Sequence, residues 1–205
     1  MLFKYVISIY LDHKIQYRGC NLKSIMVKGI MVPLSAYATV SEEANLYEAI
    51  MALEAAQEKF GSSRYAHRAI LILGPDDNVV GKVDMVGILS ALEPKYDQIG
   101  DPGIMSRTGI NPDFLRSMVE KYSLWDKPLQ DICAKAVGKK VKNFMYTPTE
   151  GEHIEEDATL DDAIHLLVLG NHQSLLVTKD DKITGILRLT DVFSHVCELT
   201  KTCEI

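Results

Sequence analysis

Met31-Val-Pro-Leu-Ser-Ala-Tyr-Ala-Thr-Val-Ser-Glu-Glu-Ala-Asn-Leu-Tyr-Glu-Ala-Ile50 returns in altered form as Met145-Tyr-Thr-Pro-Thr-Glu-Gly-Glu-His-Ile-Glu-Glu-Asp-Ala-Thr-Leu-Asp-Asp-Ala-Ile164. The two stretches align without a gap at an offset of 114 residues. Further on, Asp76-Asp-Asn-Val-Val-Gly81 matches Asp180-Asp-Lys-Ile-Thr-Gly185 at an offset of 104 residues, so the first copy carries an insertion around residues 54–63. A duplication with so long a period predicts two similar units that pack on each other.

Both copies show the same predicted order of secondary structure. Asn45 with Glu48, and Thr159 with Asp162, form capping boxes, in which a small polar side chain and a later acid bond the backbone N–H groups of a helix start. Apolar residues at helical spacing follow, then two short strand-like runs around a turn, then a closing helix. The sequence therefore predicts an α+β fold of two βαββα repeats about a pseudo-twofold axis, because each half-sheet leaves an apolar face to cover.

Composition limits the possible function classes. The chain has 205 residues, of which 47% are hydrophobic and 24% charged, as in ordinary globular proteins. A formal net charge of −6 argues against a nucleic-acid partner, and the sequence has no apolar run of about 18 residues that would predict a membrane span. The four cysteines form no CxxC pair and the histidines show no metal-ligand spacing, which predicts no metal site and favours idle thiols in a reducing cytosol. We therefore expect a cytoplasmic protein that binds neither nucleic acid nor membrane.

The remaining segments lie before and between the copies. Residues 1–23 are apolar at first but lack a cleavage site, and we interpret them as an N-terminal strand or arm. In the connection, residues 94–139, Asn111-Pro112 is a helix cap followed by a first-turn proline. Two helical stripes follow, formed by Phe114, Leu115, Met118, Val119 and Tyr122, and by Leu129, Ile132, Cys133, Ala136 and Val137. They predict a packing surface, either on the repeats or on a partner chain.

These motifs together resemble the CBS domain, the cystathionine beta-synthase repeat. The second copy carries the resemblance through Lys142-Asn-Phe-Met145, the block from Glu156 to Ala163, and Gly185-Ile-Leu-Arg-Leu-Thr-Asp191. The first copy does so through Val27-Lys-Gly-Ile-Met31 and Gly81-Lys-Val-Asp-Met-Val-Gly87. The resemblance implies a first CBS domain at residues 24–93 and a second, with the C-terminal tail, at 140–205. Such pairs commonly form homodimers and act as regulatory sensors of adenine nucleotides or S-adenosylmethionine, without chemistry of their own.

The resemblance also implies a ligand cleft in the second copy. The family motif has a Ser or Thr that helps hold phosphate, and an Asp that holds ribose hydroxyls. Here Gly185 and Asp191 match the motif, and Arg188 stands at the Ser/Thr position, where a guanidinium would bond two phosphate oxygens. The predicted contacts are Asp191, Arg188, Thr190, Thr147, Ile154 and His172. The alternative interpretation is that Asp191 only favours the helix start and Arg188 is a solvated surface cation.

The first copy departs further from the motif. Asp84 occupies the Ser/Thr position and Gly87 replaces the ribose-binding Asp. A carboxylate repels phosphate, so we expect this cleft to be empty of nucleotide or to take a neutral or cationic group. Nearby, Arg64, His67 and Arg68 form a small basic cluster that we interpret as a solvated face.

Three functions remain open at this point. The first is a non-catalytic, homodimeric sensor that binds AMP, ADP, ATP or S-adenosylmethionine in the second cleft and signals to a separate effector protein, with no cofactor required. The second is a ligand-free structural or dimerisation module with degenerate clefts. The third, a nucleotide hydrolase or transferase, ranks last because the sequence offers no positioned base or metal site.

Overall fold

The structure, a computed structural model, describes residues 22–60, 67–99, 109, 111–127 and 129–202. Most of the predicted N-terminal arm and Arg64 therefore lie outside the described residues. The elements of the first repeat are β1 Val32–Pro33, β2 Thr39–Ser41, α1 Leu46–Phe60, β3 Ala69–Leu73, β4 Val79–Asp84 and α2 Met85–Leu92. The connection contains α3 Pro112–Tyr122 and α4 Leu129–Ala136. The second repeat consists of β5 His153–Glu155, α5 Leu160–Gly170, β6 Ser174–Lys179, β7 Lys182–Arg188 and α6 Leu189–Thr202.

The predicted α+β fold and the βαββα order of both repeats are confirmed. The first capping box is formed as expected, because the Asn45 N–H donates to Glu48 at 2.7 Å and the Glu48 N–H donates to the Asn45 side chain at 2.9 Å. Helix α5 ends where the sequence predicts, at Asn171, which adopts a left-handed φ of 53°. Helix α1 has 15 residues against 11 in α5, so part of the insertion lengthens this helix.

Each sheet is completed by a segment that belongs to the other repeat. Strand β1 of the first repeat pairs antiparallel with β7, with Val32 opposite Ile186, in a sheet of order β1-β7-β6-β5. At the equivalent place in the other sheet, whose order is β2-β3-β4, Tyr146 pairs with Lys82 through two backbone hydrogen bonds of 2.9 Å. The two pairings are related by the sequence offsets of the duplication. The repeats are therefore interlocked by exchanged segments.

The short turns before these segments are exchanged as well. Val27 is fully buried in the core of the second repeat, and Val141 is fully buried in the core of the first. A third core cluster joins the two sheets and contains Val32, Tyr37, Leu71, Leu176 and Ile186. Neither repeat has a complete core alone, because the burial of each depends on apolar side chains from its neighbour.

The two helices of the connection behave differently. Helix α4 packs against α2 and buries Ile132 and Ala136. Helix α3 begins at its predicted cap, where Asn111 accepts the Phe114 N–H at 2.8 Å, yet none of its residues is buried. The stripe of α4 therefore packs on the repeats, whereas that of α3 is exposed. Among the described residues, no helix is long and apolar enough to cross a bilayer.

Candidate ligand-binding site

A cavity of about 280 Å³ lies between the repeats, where β4 and β7 end and their closing helices begin. Its wall contains pairs of equivalent residues: Arg68 with Gln173, Ala69 with Ser174, Asp84 with Arg188, and Val86 with Thr190. The strand registers support this equivalence, because Ala69 pairs with Asp84 and Ser174 pairs with Arg188. Since both members of each pair line one cavity, the cavity lies on the pseudo-twofold axis.

The equivalent residues Asp84 and Arg188 are held in place by different local bonds. Asp84 caps α2, because its Oδ1 accepts the Gly87 N–H at 2.7 Å. A guanidinium has no acceptor and cannot cap a helix in this way. Arg188 instead donates to Asp191, with 2.6 Å from Nε to Oδ2 and 2.5 Å from Nη2 to Oδ1. At this position the first repeat therefore has a carboxylate that caps a helix, and the second repeat has an arginine in a bidentate ion pair.

The Arg188–Asp191 pair is enclosed by the first repeat. Arg188 is 4% exposed, so the interpretation of this residue as a solvated surface cation is wrong. Its Nη1 lies 3.4 Å from Nδ1 of His67, which must be the acceptor because a guanidinium only donates. The His67 ring in turn contacts Tyr37 edge to face, with ring centroids 4.4 Å apart. A pair that is local in sequence is therefore covered by two aromatic rings from the other repeat.

Burial controls the charge of these two rings. It raises the pKa of Tyr37 to about 12, although Arg188 acts in the opposite direction. Burial first, and then the charge of Arg188, lower the pKa of His67 to about 4. His67 is 3% exposed and neutral near pH 7, so the interpretation of the basic cluster as a solvated face is wrong for this residue. Arg68 in the same cluster is exposed, but it lines the cavity.

The other cations of the wall differ in how they are paired. Lys82 forms an ion pair with Glu152, and the Tyr146 hydroxyl also donates to Glu152, at 2.5 Å. Burial acts to raise the pKa of Glu152, but the hydrogen bonds from Lys82 and Tyr146 outweigh it, and the pKa is lowered. By contrast, the Arg68 side chain makes no hydrogen bond or ion pair with the described residues. Among the described residues of the wall, Arg68 is therefore a cation whose side-chain donors have no partner in the described part of the chain.

The six residues predicted as contacts fall into two groups. Arg188 and Thr190 line the cavity, and Asp191 adjoins it through its bonds to Arg188. The other three, Thr147, Ile154 and His172, do not line it. Thr147 is exposed and follows Tyr146 beside the first sheet, the Ile154 side chain is buried in the second core, and His172 is half-buried before β6. Contact between these three residues and a ligand stays a prediction.

Sequence reasoning missed Tyr37 and Lys82 as wall residues and misinterpreted His67. The duplication itself carried a signal for His67, because His67 and His172 stand at equivalent positions before β3 and β6. Tyr37 offered no such signal, since glycine occupies its equivalent position, residue 151. Among the described residues, no group of His, Cys, Asp or Glu side chains is arranged to hold a metal ion.

Comparison with known proteins supports this architecture. Residues 141–198 match the family model of the CBS domain. The second repeat therefore matches the CBS family model, and the two repeats together share the fold of solved CBS pairs. No curated protein matches the sequence.

Three solved structures illustrate the likeness of fold. The CBS-pair protein CBSX2 from Arabidopsis thaliana is 17% identical, with 87% of this chain and 98% of that chain covered and a TM-score of 0.56. CBSX2 in complex with AMP is 19% identical, with coverage of 86% and 98% and a TM-score of 0.53. The CBS domain of a bacterial CNNM/CorC family Mg²⁺ transporter, in complex with ATP, is 12% identical, with coverage of 86% and 89% and a TM-score of 0.55. At these identities the likeness concerns the fold.

Proposed function

We propose that this chain is a non-catalytic regulatory module that binds an adenine nucleotide in the cavity between its repeats. The observation that carries the proposal is the wall of that cavity, which places Arg188 and Arg68 beside the apolar surfaces of Tyr37, Ala69 and Met85. Ligand sites are typically concave and largely apolar, with a few polar groups that fix orientation. The volume of about 280 Å³ is near the lower end of the usual ~300–1,000 Å³. Solved CBS structures with AMP and with ATP support the choice of ligand class.

Arg188 is suited to be the phosphate ligand. Asp191 holds its Nε and Nη2, which fixes the guanidinium plane before any ligand arrives. A guanidinium has five N–H donors, of which Asp191 accepts from two and Nδ1 of His67 from a third. Each Asp191 oxygen also keeps a lone pair, because a carboxylate has about four acceptor sites. Asp191 is therefore a positioning residue for Arg188 that retains the capacity to accept a ribose hydroxyl.

Arg68 offers a clean test of binding. Arg68→Gln copies the residue at the equivalent position, Gln173, and removes no bond to the described residues. We expect calorimetric titration of the wild type to detect at least one of AMP, ADP, ATP and S-adenosylmethionine. The variant is expected to bind about threefold to tenfold more weakly, since it loses one partly screened charge contact. The melting temperature without ligand should not change.

Arg116→Gln is the matched control, because it removes the same charge from an exposed position on α3. This control should bind as the wild type does. Absence of heat with all four ligands would contradict the proposal. Equal weakening by the two substitutions would mean that overall charge, and not the cavity, controls affinity.

One observation favours the second candidate function, a ligand-free structural module. Arg188 and Asp191 satisfy each other, and Asp84 is occupied by the Gly87 N–H, so both motif positions have internal partners. Exposed apolar side chains on the closing helices are consistent with dimerisation, since Leu89 on α2 and Phe193 on α6 are equivalent and 55% and 59% exposed. If no nucleotide binds while Phe193→Asp converts a dimer to a monomer in light scattering, this candidate becomes the better account.

We also propose a homodimer and a separate effector for the sensor itself. A ligand that touches both repeats stabilises the arrangement it prefers, so binding can change the angle between them. The exposed stripe of α3, which includes Phe114, Leu115 and Val119, is the candidate surface for the effector. Light scattering tests the dimer.

A further inference from the structure

We propose that Asp84 makes the cavity selective for a nucleoside monophosphate over the corresponding triphosphate. This inference rests on the proposed nucleotide-binding function and specifies the ligand class of that site. Asp84 stands at the position equivalent to Arg188, and both residues line the same cavity on the pseudo-twofold axis. A ligand phosphate held by Arg188 therefore shares its cavity with a carboxylate.

The Asp84 charge is available to act on such a ligand. Its Oδ1 accepts the Gly87 N–H, but among the described residues Asp84 makes no ion pair. The side chain is exposed and lines the cavity. The backbone fixes its position, because Asp84 ends β4 opposite Ala69 and caps α2. The carboxylate is consequently a permanent feature of the wall.

The charged side chains of the cavity wall carry little excess positive charge that could bind phosphate. Lys82 is paired with Glu152 and Arg188 with Asp191, so these four groups sum to zero. Among the described residues of the wall, the remaining charged groups are Arg68 and Asp84, which are close in the first repeat because the Met85 N–H donates to the Arg68 carbonyl. One phosphate group can be bound by the donors of Arg188 and Arg68. Every further phosphate adds negative charge near Asp84 without meeting a new cation of the wall.

The expected size of the effect follows from screened Coulomb interactions. At an effective dielectric of about 20 and separations near one Debye length of ~8 Å, each additional ligand charge weakens binding roughly threefold. ATP carries about two more charges than AMP. Asp84 is therefore expected to disfavour ATP relative to AMP by about tenfold.

Asp84→Asn isolates this charge. Asparagine is an equally good helix cap, so the bond to the Gly87 N–H and the volume of the side chain are kept. Asp84→Ser is the second variant, because serine also caps helices but has a different shape. The control is Asp76→Asn in the exposed turn before β4. The length of a six-residue strand places this position about 17–20 Å away, beyond a Debye length.

The test is calorimetric titration of AMP and ATP, without divalent cations, at physiological ionic strength. We expect the wild type to bind one AMP per chain and to prefer AMP over ATP. In both Asp84 variants the preference for AMP should fall by about tenfold, mostly through tighter ATP binding, while Asp76→Asn keeps the wild-type ratio. An unchanged ratio in both Asp84 variants, or wild-type preference for ATP, would overturn the inference alone. Failure of both nucleotides to bind any variant would overturn the inference, and failure of ADP and S-adenosylmethionine as well would overturn the proposed function.

Discussion

In two places an exchanged segment pairs with the sheet of the other repeat, and we call these places the two corners. They have the same backbone arrangement but are held together by different interactions. At the first corner, the exchanged residue Tyr146 pairs with Lys82 on β4, and both side chains bond to the buried carboxylate of Glu152. At the second corner, the equivalent pairing joins Val32 to Ile186 on β7. Ala38 occupies the position equivalent to Glu152, and all three side chains of this second corner are buried apolar groups.

The difference shows that both repeats have kept the backbone pairing of the exchanged segment, whereas the side chains that stabilise this pairing have become different. An apolar corner is stabilised by burial and close packing, which depend little on pH or salt. A buried ion pair gains little over apolar packing, but the loss of one partner leaves a charge uncompensated. Equivalent substitutions at the two corners should therefore have different consequences.

The largest effect is expected at the apolar corner. Ile186 is fully buried between the sheets, so Ile186→Ala removes packing contacts and leaves a cavity. We expect a loss of about 4 kcal/mol in the free energy of unfolding, nearly independent of salt. Urea denaturation at low and high ionic strength measures both quantities. A loss below about 1 kcal/mol would show that packing around Ile186 at this apolar corner contributes little to stability.

Breaking the polar corner should have the next largest effect. Glu152 is 3% exposed, and Glu152→Ala leaves the largely buried Lys82 ammonium without its acid. We expect a loss of about 3 kcal/mol in the free energy of unfolding. Glu43→Ala is the control, because Glu43 forms two surface ion pairs, with Lys140 and Lys142, and the loss of such exposed pairs should reduce stability much less. Equal losses in the two variants would contradict a special role for the interactions of Glu152 with Lys82 and Tyr146.

A smaller effect, dependent on pH, separates the equivalent residues His67 and His172. Burial lowers the pKa of His67 from its ordinary value of 6.5 to about 4, so the unfolded chain binds a proton that the folded chain excludes. Stability is therefore fully present above about pH 6.5 and falls as the pH drops towards 4, by about 2 kcal/mol. His67→Gln should remove most of this slope in urea denaturation, while His172→Gln should keep it. A slope unchanged by His67→Gln would show that other groups cause it.

The smallest effect is expected when the polar corner is converted into the apolar one. The triple variant Lys82→Ile, Tyr146→Val and Glu152→Ala copies Ile186, Val32 and Ala38. Because both charges are removed together, the free energy of unfolding should change by about 1 kcal/mol or less. Urea denaturation compared with the single Glu152→Ala variant measures the recovery. A triple variant as unstable as the single one would mean that the two corners are not structurally interchangeable.

Local chemistry made much of the fold predictable from the sequence. The capping pair Asn45 and Glu48 and the left-handed Asn171 are set by neighbouring residues, and the duplication supplied the repeat order. The exchange of segments was not predictable in this way. The contacts of Tyr146 with Lys82, and of Val27 with the second core, join residues more than 60 positions apart with no local signal.

The candidate site likewise combines contacts between neighbouring residues with contacts that form only through tertiary packing. The Arg188–Asp191 pair joins residues three positions apart, so it was open to local prediction, although we expected the two residues to contact a ligand separately. His67 and Tyr37 reach Arg188 only through packing of the first repeat on the second. The position of Asp84 and Arg188 in the wall of one cavity also depends on this packing, which brings the ends of β4 and β7 together.

The most direct test of the central claim is a crystal structure of the chain grown with AMP. The account predicts phosphate density in the cavity between β4 and β7, within hydrogen-bonding distance of the guanidinium groups of Arg188 and Arg68. The Arg188–Asp191 pair should remain formed. A nucleotide bound elsewhere on the molecule, or an empty cavity at saturating AMP, would contradict the claim that this cavity is the sensor site.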